Sequence, residues 1–327
     1  RGESVMELVP RKRLELYTGR SHPSLAQDIA KHLGVELGHA NLREFPNGEI
    51  HCRFGESVRG TDAFVIQTHG GRVNNSIMEQ CIMIDAAKRA SAKRITAVCP
   101  YFGYSRQDRK AEGREPITAK LVTDMLTVAG ADRIVSVDLH AGQIQGFFDG
   151  PVDHLTAMPV LIDYMNRQAN EDLVVVAPDA GRLKVAERFS QNLDSQLASV
   201  YKRRAGGRVL ALGVMGEAAI QDRLCVLIDD MIDTAGTICA AADVLMEHGA
   251  REVWGMATHA LFSDPAVDRL KNSAMTRIVI TDTVPIESEK VIDKVEVLSV
   301  ARIIADAIDA VFEDTSVSEI FGGENQS

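Results

Sequence analysis

Cys225-Val226-Leu227-Ile228-Asp229-Asp230-Met231-Ile232-Asp233-Thr234-Ala235-Gly236-Thr237-Ile238 passes from mostly β-branched or apolar residues into two adjacent carboxylates and then an Asp-Thr-x-Gly-Thr turn. The order reads as a strand over Cys225–Asp229, an acidic edge, a small-residue loop, and a helix over Ile238–Gly249. A loop of Thr, Ala and Gly at a helix N-terminus lets backbone N–H groups close on an anion, and the helix dipole adds partial positive charge. Asp229 and Asp230 repel that same anion, so at the strand end they suit sugar hydroxyls or metal-bound water. Together the two features point to a phosphorylated sugar. Taken alone, the pattern also fits ordinary capping, because strand-to-helix turns with one Gly and a Thr or Asp cap are widespread in α/β proteins.

Outward from this stretch, strand-like runs recur at Leu14–Thr18, Ala63–Thr68, Arg94–Tyr101, Arg133–Leu139, Leu173–Ala177, Val253–Ala257 and Arg277–Thr281. Segments of helical spacing separate them at Pro23–Leu33, Ser76–Arg89, Thr118–Val128 and Ala157–Arg167. Such alternation predicts an α/β fold of two similar doubly wound domains with mainly parallel sheets, and ligand sites at the carboxyl ends of the strands. Gly150–Pro159 lacks periodicity and marks the boundary, giving an N-terminal domain over residues 1–156 and a C-terminal one over residues 157–327. Val297–Val311 reads as a strand leading into an amphipathic helix, which is expected to pack back on the N-terminal domain. The acidic tail after Glu313 is expected to fray and is assigned no role.

The chain's 327 residues are 45% hydrophobic and 25% charged, an ordinary composition for a soluble globular protein of roughly two domains. Lys+Arg 36 against Asp+Glu 46 leaves a net charge of −10, which argues against nucleic acid as a partner. Anionic small substrates stay possible, because a local basic cluster or Mg²⁺ can reverse the sign within one cleft. Cys52, Cys81, Cys99, Cys225 and Cys239 form no C-x-x-C pair and read as reduced packing residues of a cytoplasmic protein. No apolar run approaches membrane-spanning length, the charged N-terminus lacks a signal-peptide core, and the missing initiator Met suggests a trimmed start. P-loop, strand-linked G-x-G-x-x-G, H-E-x-x-H, G-x-S-x-G and zinc-spacing motifs are all missing.

Polar clusters fall where strand ends are expected. Phe45-Pro46-Asn47-Gly48-Glu49 is a hairpin turn by its Asn-Gly, although Phe45 can stack on a base while Asn47 and Glu49 hydrogen-bond it. Ser105-Arg106-Gln107-Asp108-Arg109-Lys110 is either a solvated basic turn or a site in which Arg106 grips phosphate and Gln107 reads an adenine edge. His140, in Asp138-Leu139-His140-Ala141-Gly142-Gln143-Ile144-Gln145-Gly146-Phe147-Phe148-Asp149, stays undecided between a packed histidine and a metal ligand. Asp179 caps a helix or anchors Mg²⁺. Tyr201-Lys202-Arg203-Arg204-Ala205-Gly206-Gly207-Arg208 reads as a mobile cationic loop of the kind that closes over polyphosphate.

These pieces, in this order, closely resemble ribose-phosphate diphosphokinases, with a type I phosphoribosyltransferase-like fold. The resemblance runs from about Leu14 to Phe321, and the Asp138–Asp149 segment is its most discriminating part, since simple phosphoribosyltransferases lack it. It implies Mg²⁺-dependent transfer of the β,γ-diphosphoryl group of ATP to ribose 5-phosphate, giving AMP and 5-phosphoribosyl 1-diphosphate for nucleotide, His and Trp biosynthesis. It places ATP against Arg106 and Gln107, and against Phe45, Asn47, Gly48 and Glu49 of a neighbouring subunit in a homohexamer. It makes His140 and Asp179 metal-associated, casts Lys202 and Arg204 as catalytic cations, and sets Arg204, Asp229 and Asp230 at the ribose. Asp233, Thr234, Ala235, Gly236 and Thr237 fall around the 5-phosphate. Tyr201 stands where the family usually carries Asp, Arg182-Leu183-Lys184-Val185 replaces the usual Gly-Ala-Lys-Arg, and Gly142 replaces Pro or Ser. Arg182 is a candidate to supply the charge missing at Val185. A non-catalytic homologue that keeps the ligand sites, and a phosphoribosyltransferase that consumes the diphosphate, are the competing readings.

Overall fold

The computed structural model describes residues 12–168, 172–205 and 208–321, with backbone only over 202–205, 208–212 and at 321. The chain opens with β1 (Leu14–Thr18), α1 (Pro23–Leu33), β2 (Ala40–Glu44), β3 (Ile50–Phe54) and β4 (Asp62–Ile66). It continues through α2 (Val73–Arg89), β5 (Arg94–Cys99), α3 (Thr118–Ala129), β6 (Arg133–Val137) and β7 (Val152–Leu155). Then follow α4 (Met158–Arg167), β8 (Leu173–Ala177), α5 (Leu183–Asn192), β9 (Gln196–Ala205), β10 (Arg208–Met215) and the single turn α6 (Glu217–Ile220). The last elements are β11 (Leu224–Ile232), α7 (Gly236–Glu247), β12 (Glu252–Ala260), α8 (Ala266–Asn272), β13 (Arg277–Thr281), β14 (Val295–Leu298) and α9 (Ala301–Phe312).

Two sheets carry the fold. The first has the order β1-β4-β5-β6-β7 and is parallel throughout. The second has the order β10-β9-β8-β11-β12-β13-β14 and is parallel except at the β9–β10 edge. Every residue of β4 and of β8 is buried, as expected for strands covered by helices on both faces. Helix α1 starts on Pro23 and stops at Gly34, whose φ of 68° lets its N–H reach back to the carbonyls of Ala30 and Lys31. The apolar stripe Ile304, Ala307, Ile308 and Val311 of α9 is buried with Leu25, Ile29, Leu16 and Phe64, so the last helix sits in the core of the first sheet.

The carboxyl ends of the two sheets face each other. The Thr68 hydroxyl donates to the Thr283 carbonyl at 2.6 Å, and Thr258 donates to Asp138 Oδ2 at 2.6 Å. His259 Nε2 lies 3.0 Å from the Asp138 carbonyl, and His22 Nε2 lies 2.7 Å from that of Asp282. Seven of the strand-like runs thus become β1, β4, β5, β6, β8, β12 and β13 and deliver their polar ends to one seam.

Three local readings change. The stretch after Cys225 stays extended to Ile232, three residues beyond Asp229, because Met231 and Ile232 pair with His259 and Ala260 of β12. Helix α7 begins at Gly236 rather than Ile238. The segment expected to be a mobile basic loop instead contributes to an antiparallel ribbon in which Lys202 pairs with Leu212 and Arg204 with Val209. Val209-Leu210-Ala211-Leu212, next to Gly206-Gly207, is a hairpin signal that the density of positive charge obscured.

Candidate active site

Asp229 and Asp230 lie near the end of β11, where four groups from three parts of the chain converge. His140 follows β6, and Arg182 follows the Asp179 turn after β8. His140 Nδ1 is 2.7 Å from Asp230 Oδ2 and 2.8 Å from Arg182 Nη2. Arg182 Nε is 3.0 Å from Asp229 Oδ1, and Arg182 Nη2 is 2.7 Å from Asp230 Oδ1. The Asp230 N–H donates to Asp229 Oδ1 at 2.8 Å. Burial and the neighbouring charge of Asp230 push the Asp229 carboxyl up from its ordinary value. Burial acts the same way on Asp230, but hydrogen bonding to His140 and the Arg182 charge outweigh it and hold Asp230 below the usual carboxylate range. The two carboxyls are thus pushed in opposite directions, Asp229 up and Asp230 down.

A cavity of about 200 Å³ opens beside this cluster, lined among others by Asp138, His140, Arg182, Asp229, Asp230 and Thr258. Asp138 anchors its floor. Its backbone takes a φ of 40°, and its Oδ2 accepts from the Ala157 N–H at 2.9 Å as well as from Thr258. Asp179 is the cap of a short turn, with Oδ1 accepting from the Gly181 N–H at 2.8 Å. Its second oxygen keeps acceptor capacity, and a carboxylate oxygen is the donor type Mg²⁺ prefers. Among the described residues no three or more His, Cys, Asp or Glu side chains are clustered so as to hold a metal ion by themselves.

Beyond Asp230 the loop turns toward a second cleft of about 730 Å³, lined by Asp233, Arg106, Gln107, Tyr101 and Tyr104 among others. Arg106 Nη1 bridges to Asp233 Oδ2 at 2.7 Å. Burial raises the Asp233 carboxyl, but hydrogen bonds from Ser263 and Arg106 outweigh it and leave it below its ordinary range. Gln107 is held by its own loop, with Oε1 accepting from the Thr118 hydroxyl at 2.6 Å. Ala235 takes a φ of 61° immediately before α7, a left-handed step that aims successive N–H groups into one concavity. Thr234 and Thr237 are exposed beside it, and the Arg269 guanidinium holds the Thr234 carbonyl at 2.9 Å.

Phe45–Glu49 forms the turn of the β2–β3 hairpin: the Gly48 N–H donates to the Phe45 carbonyl and the Phe45 N–H to that of Glu49, both at 2.8 Å. Asn47 Oδ1 accepts from the Glu49 N–H at 3.2 Å. The Phe45 ring is 40% exposed, with the Arg43 guanidinium 5.0 Å from its centroid. This turn does not line the cleft that holds Arg106 and Gln107. The side chains of Lys202 and Arg204 lie outside the described residues.

Sequence reasoning passed over Asp138, Thr258 and His259 as site-forming residues. Their signal was present as polar residues closing otherwise apolar strands. Arg182 was noticed for a different reason, as a possible substitute for a charge missing at Val185. It reaches across to the β11 carboxylates instead.

Residues 14–130 match the N-terminal domain of ribose phosphate pyrophosphokinase, and residues 208–322 match the phosphoribosyl synthetase-associated domain. A ribose-phosphate pyrophosphokinase of Bifidobacterium longum is 54% identical over 97% of this chain and 95% of its own length. One from Streptomyces avermitilis is 52% identical over 95% of this chain and 96% of its own. The crystal structure of phosphoribosylpyrophosphate synthetase from Mycobacterium smegmatis superposes with a TM-score of 0.88 at 50% identity, covering 93% of this chain and all of that one.

Proposed function

The chain belongs to the ribose-phosphate pyrophosphokinase family, and from that premise we infer that it makes 5-phosphoribosyl 1-diphosphate and AMP from ATP and ribose 5-phosphate. The observation that carries this reading is the meeting of the His140–Arg182–Asp229–Asp230 cluster with the loop leading into α7, so that hydroxyl acceptors and an anion cradle adjoin. In the step itself, the anomeric hydroxyl oxygen bonds to the β-phosphorus of ATP. The bond from that phosphorus to the α,β-bridging oxygen breaks, AMP leaves with the oxygen, and the hydroxyl proton passes to water. Positioning and charge neutralisation supply the acceleration, without a covalent intermediate on the protein.

Asp229 and Asp230 are assigned to orienting the ribose hydroxyls, and residues 233–237 to holding the 5-phosphate on the α7 N-terminus. Arg106 and Gln107 are assigned to ATP. The exposed Phe45 supports a role for Phe45, Asn47, Gly48 and Glu49 toward an ATP bound at another subunit, in keeping with a homohexamer. Lys202 and Arg204 are assigned to the charge that develops on the transferred group, with Arg204 also toward ribose 5-phosphate. Asp179 and His140 are assigned to Mg²⁺, which when bound would neutralise phosphate charge. The surface charge and the reduced cysteines favour a cytoplasmic protein free of nucleic acid, and no helix among the described residues is long and apolar enough to cross a membrane.

The test is incubation of purified protein with Mg²⁺, ATP and ribose 5-phosphate, followed by separation of the adenine nucleotides. AMP formed in step with phosphoribosyl diphosphate is the expected result. ADP alone, or intact ATP under conditions where ATP binds, refutes the assignment.

A further inference from the structure

Tyr101 follows β5 where the two sheets meet, and its ring packs on the second sheet rather than on its own. The residue is 5% exposed. Its ring lies in an apolar cluster with Met231 of β11 and Val284 after β13, with Leu261 packed beside them. The His259 ring of β12 stands tilted against it, 4.9 Å between centroids. Gly70 closes the cluster from the side of the first sheet: a Cβ there would meet Val284 Cγ1 at 2.5 Å, so glycine is what lets the backbone come this near. The backbone is tied across the seam as well. The Tyr101 N–H donates to the Thr68 hydroxyl at 3.1 Å, and that hydroxyl donates to the Thr283 carbonyl at 2.6 Å.

From Tyr101 to Arg106 the chain is held at nearly every step. The Tyr101 carbonyl accepts from the His69 N–H at 2.9 Å, and the Gly103 N–H donates to His69 Nδ1 at 3.0 Å. Phe102 is buried, with its ring 5.7 Å from that of His69. Tyr104 takes a φ of 61°, its hydroxyl is bonded to Asn74, and its carbonyl accepts from the Gln107 N–H at 2.8 Å. Arg106 therefore rides on a stiff arm whose root is the Tyr101 ring. The far end of the arm is a weaker joint. Arg106 Nη1 meets Asp233 Oδ2 at 2.7 Å, yet the two side chains are 50% and 22% exposed, and an ion pair so open to water is screened and holds little by itself. A buried aromatic ring holds far more. The anchor thus sits in the second sheet, and the guanidinium stands over the cleft that Tyr101, Arg106 and Asp233 line together.

We propose that Tyr101 is a positioning residue for ATP that acts through Arg106: its ring, seated in the second sheet, sets the guanidinium over the cleft and against Asp233. The proposal rests on the assignment of Arg106 to ATP above. It makes the ATP subsite depend on the strand that carries the sugar-phosphate loop, since Met231 lies two residues before Asp233. The hydroxyl is the lesser part, being hydrogen-bonded with Ser105 of its own loop, whereas the ring makes the contacts across the seam.

The experiment is titration calorimetry of α,β-methylene-ATP with Mg²⁺ into the full chain; a methylene replaces the α,β-bridging oxygen, so binding is read without turnover. Wild type is compared with Tyr101→Ala, Tyr101→Phe, Arg106→Ala and the double variant of Tyr101→Ala with Arg106→Ala. Arg106→Ala should bind about 20-fold more weakly, the scale of one charge-assisted contact. Tyr101→Ala should bind about 10-fold more weakly, the scale of a binding group held out of place. Tyr101→Phe should return to within about 3-fold of wild type, because it restores the ring. The double variant should fall within about 3-fold of Arg106→Ala, since a residue acting through Arg106 has nothing left to position, whereas independent effects would multiply to about 200-fold. A ring that only held the fold together would weaken the nucleotide by the same factor with or without Arg106, and that result overturns the proposal. So does a Tyr101→Ala that binds like wild type. Melting temperatures check that each variant is folded. If Tyr101→Ala is not, Tyr101→Leu, which refills the apolar space without the flat ring, takes its place in the cycle under the same criteria. A wild type that does not bind the analogue, or an Arg106→Ala that binds it like wild type, defeats the assignment of this cleft to ATP and the proposal with it.

Discussion

His69 should make the protein lose stability in mild acid, and the size of the effect follows from its surroundings. The side chain is fully buried at the end of β4, and burial lowers its pKa from 6.5 to about 4. Gln80 turns its amide nitrogen to the carbonyls of Val65 and Val98 at 3.0 and 3.3 Å, so its Oε1 faces His69 Nε2 at 2.8 Å as an acceptor. The Gly103 N–H donates to His69 Nδ1 at 3.0 Å. The neutral ring with its proton on Nε2 satisfies every partner, and protonation at Nδ1 would set two N–H groups against each other. Because the folded pKa lies below the unfolded one, the unfolded chain binds more protons between them. The contribution is complete above pH 6.5 and is lost as pH falls toward the folded value. At pH 5 the loss is about 2 kcal/mol, and well below pH 4 it approaches about 3 kcal/mol. Urea unfolding at fixed protein concentration, at pH 7 and pH 5, measures it. His69→Gln removes the titration, so whatever the variant's stability at pH 7, its drop to pH 5 should be smaller than wild type's by about 2 kcal/mol. Equal drops refute the reasoning.

Asp138→Ala should destabilise by about 3–6 kcal/mol, since it strands the buried Ala157 N–H and Thr258 hydroxyl and leaves alanine at a φ of 40°. Asp138→Asn keeps an acceptor and tolerates that backbone, so it should cost about 1–2 kcal/mol, and a cycle with Thr258→Ala should show coupling above about 1 kcal/mol. Chemical denaturation checks both, and equal losses for Ala and Asn count against the assignment. Asp229→Asn should raise the ribose 5-phosphate KM by about 10-fold or more while the ATP KM stays within about 3-fold, as steady-state kinetics can show. Equal effects on both substrates would remove Asp229 from the sugar.

The parallel α/β architecture was legible because its strands are short, continuously apolar and β-branched, as in Leu173-Val174-Val175-Val176, with long helical segments between them. β7 was hidden: Val152-Asp153-His154-Leu155 is an edge strand with two polar residues, and its pairing with β6 is a tertiary fact that no local pattern carries. β9 and β10 were misjudged because charge dominated a stretch whose alternation and Gly-Gly spoke for a hairpin. At the site, types of residue could be read but not their partners. Adjacent Asp229 and Asp230 announce a polar strand end; that Arg182, 47 positions earlier, neutralises them depends on β8 and β11 lying side by side. His69 and Gln80 are similar. Each looks like an ordinary polar residue until the α2–β4 packing closes water out.

The same pairing explains how a chain of net charge −10 can offer a surface to two polyanions. Asp233 is an awkward neighbour for a phosphate, yet Arg106 bridges it from the other sheet, so an approaching anion meets an ion pair rather than a bare carboxylate. Arg182 does the same for Asp229 and Asp230. Both cations come from a different strand end than the carboxylates they serve, so the charge-paired site exists only when the strand ends are assembled. The backbone amides at the start of α7 are then free to attract phosphate without first overcoming the loop's own acidity. A mutation that loosens the seam at Asp138 or Thr258 should therefore weaken sugar-phosphate binding as well as stability, even though neither residue belongs to the phosphate loop.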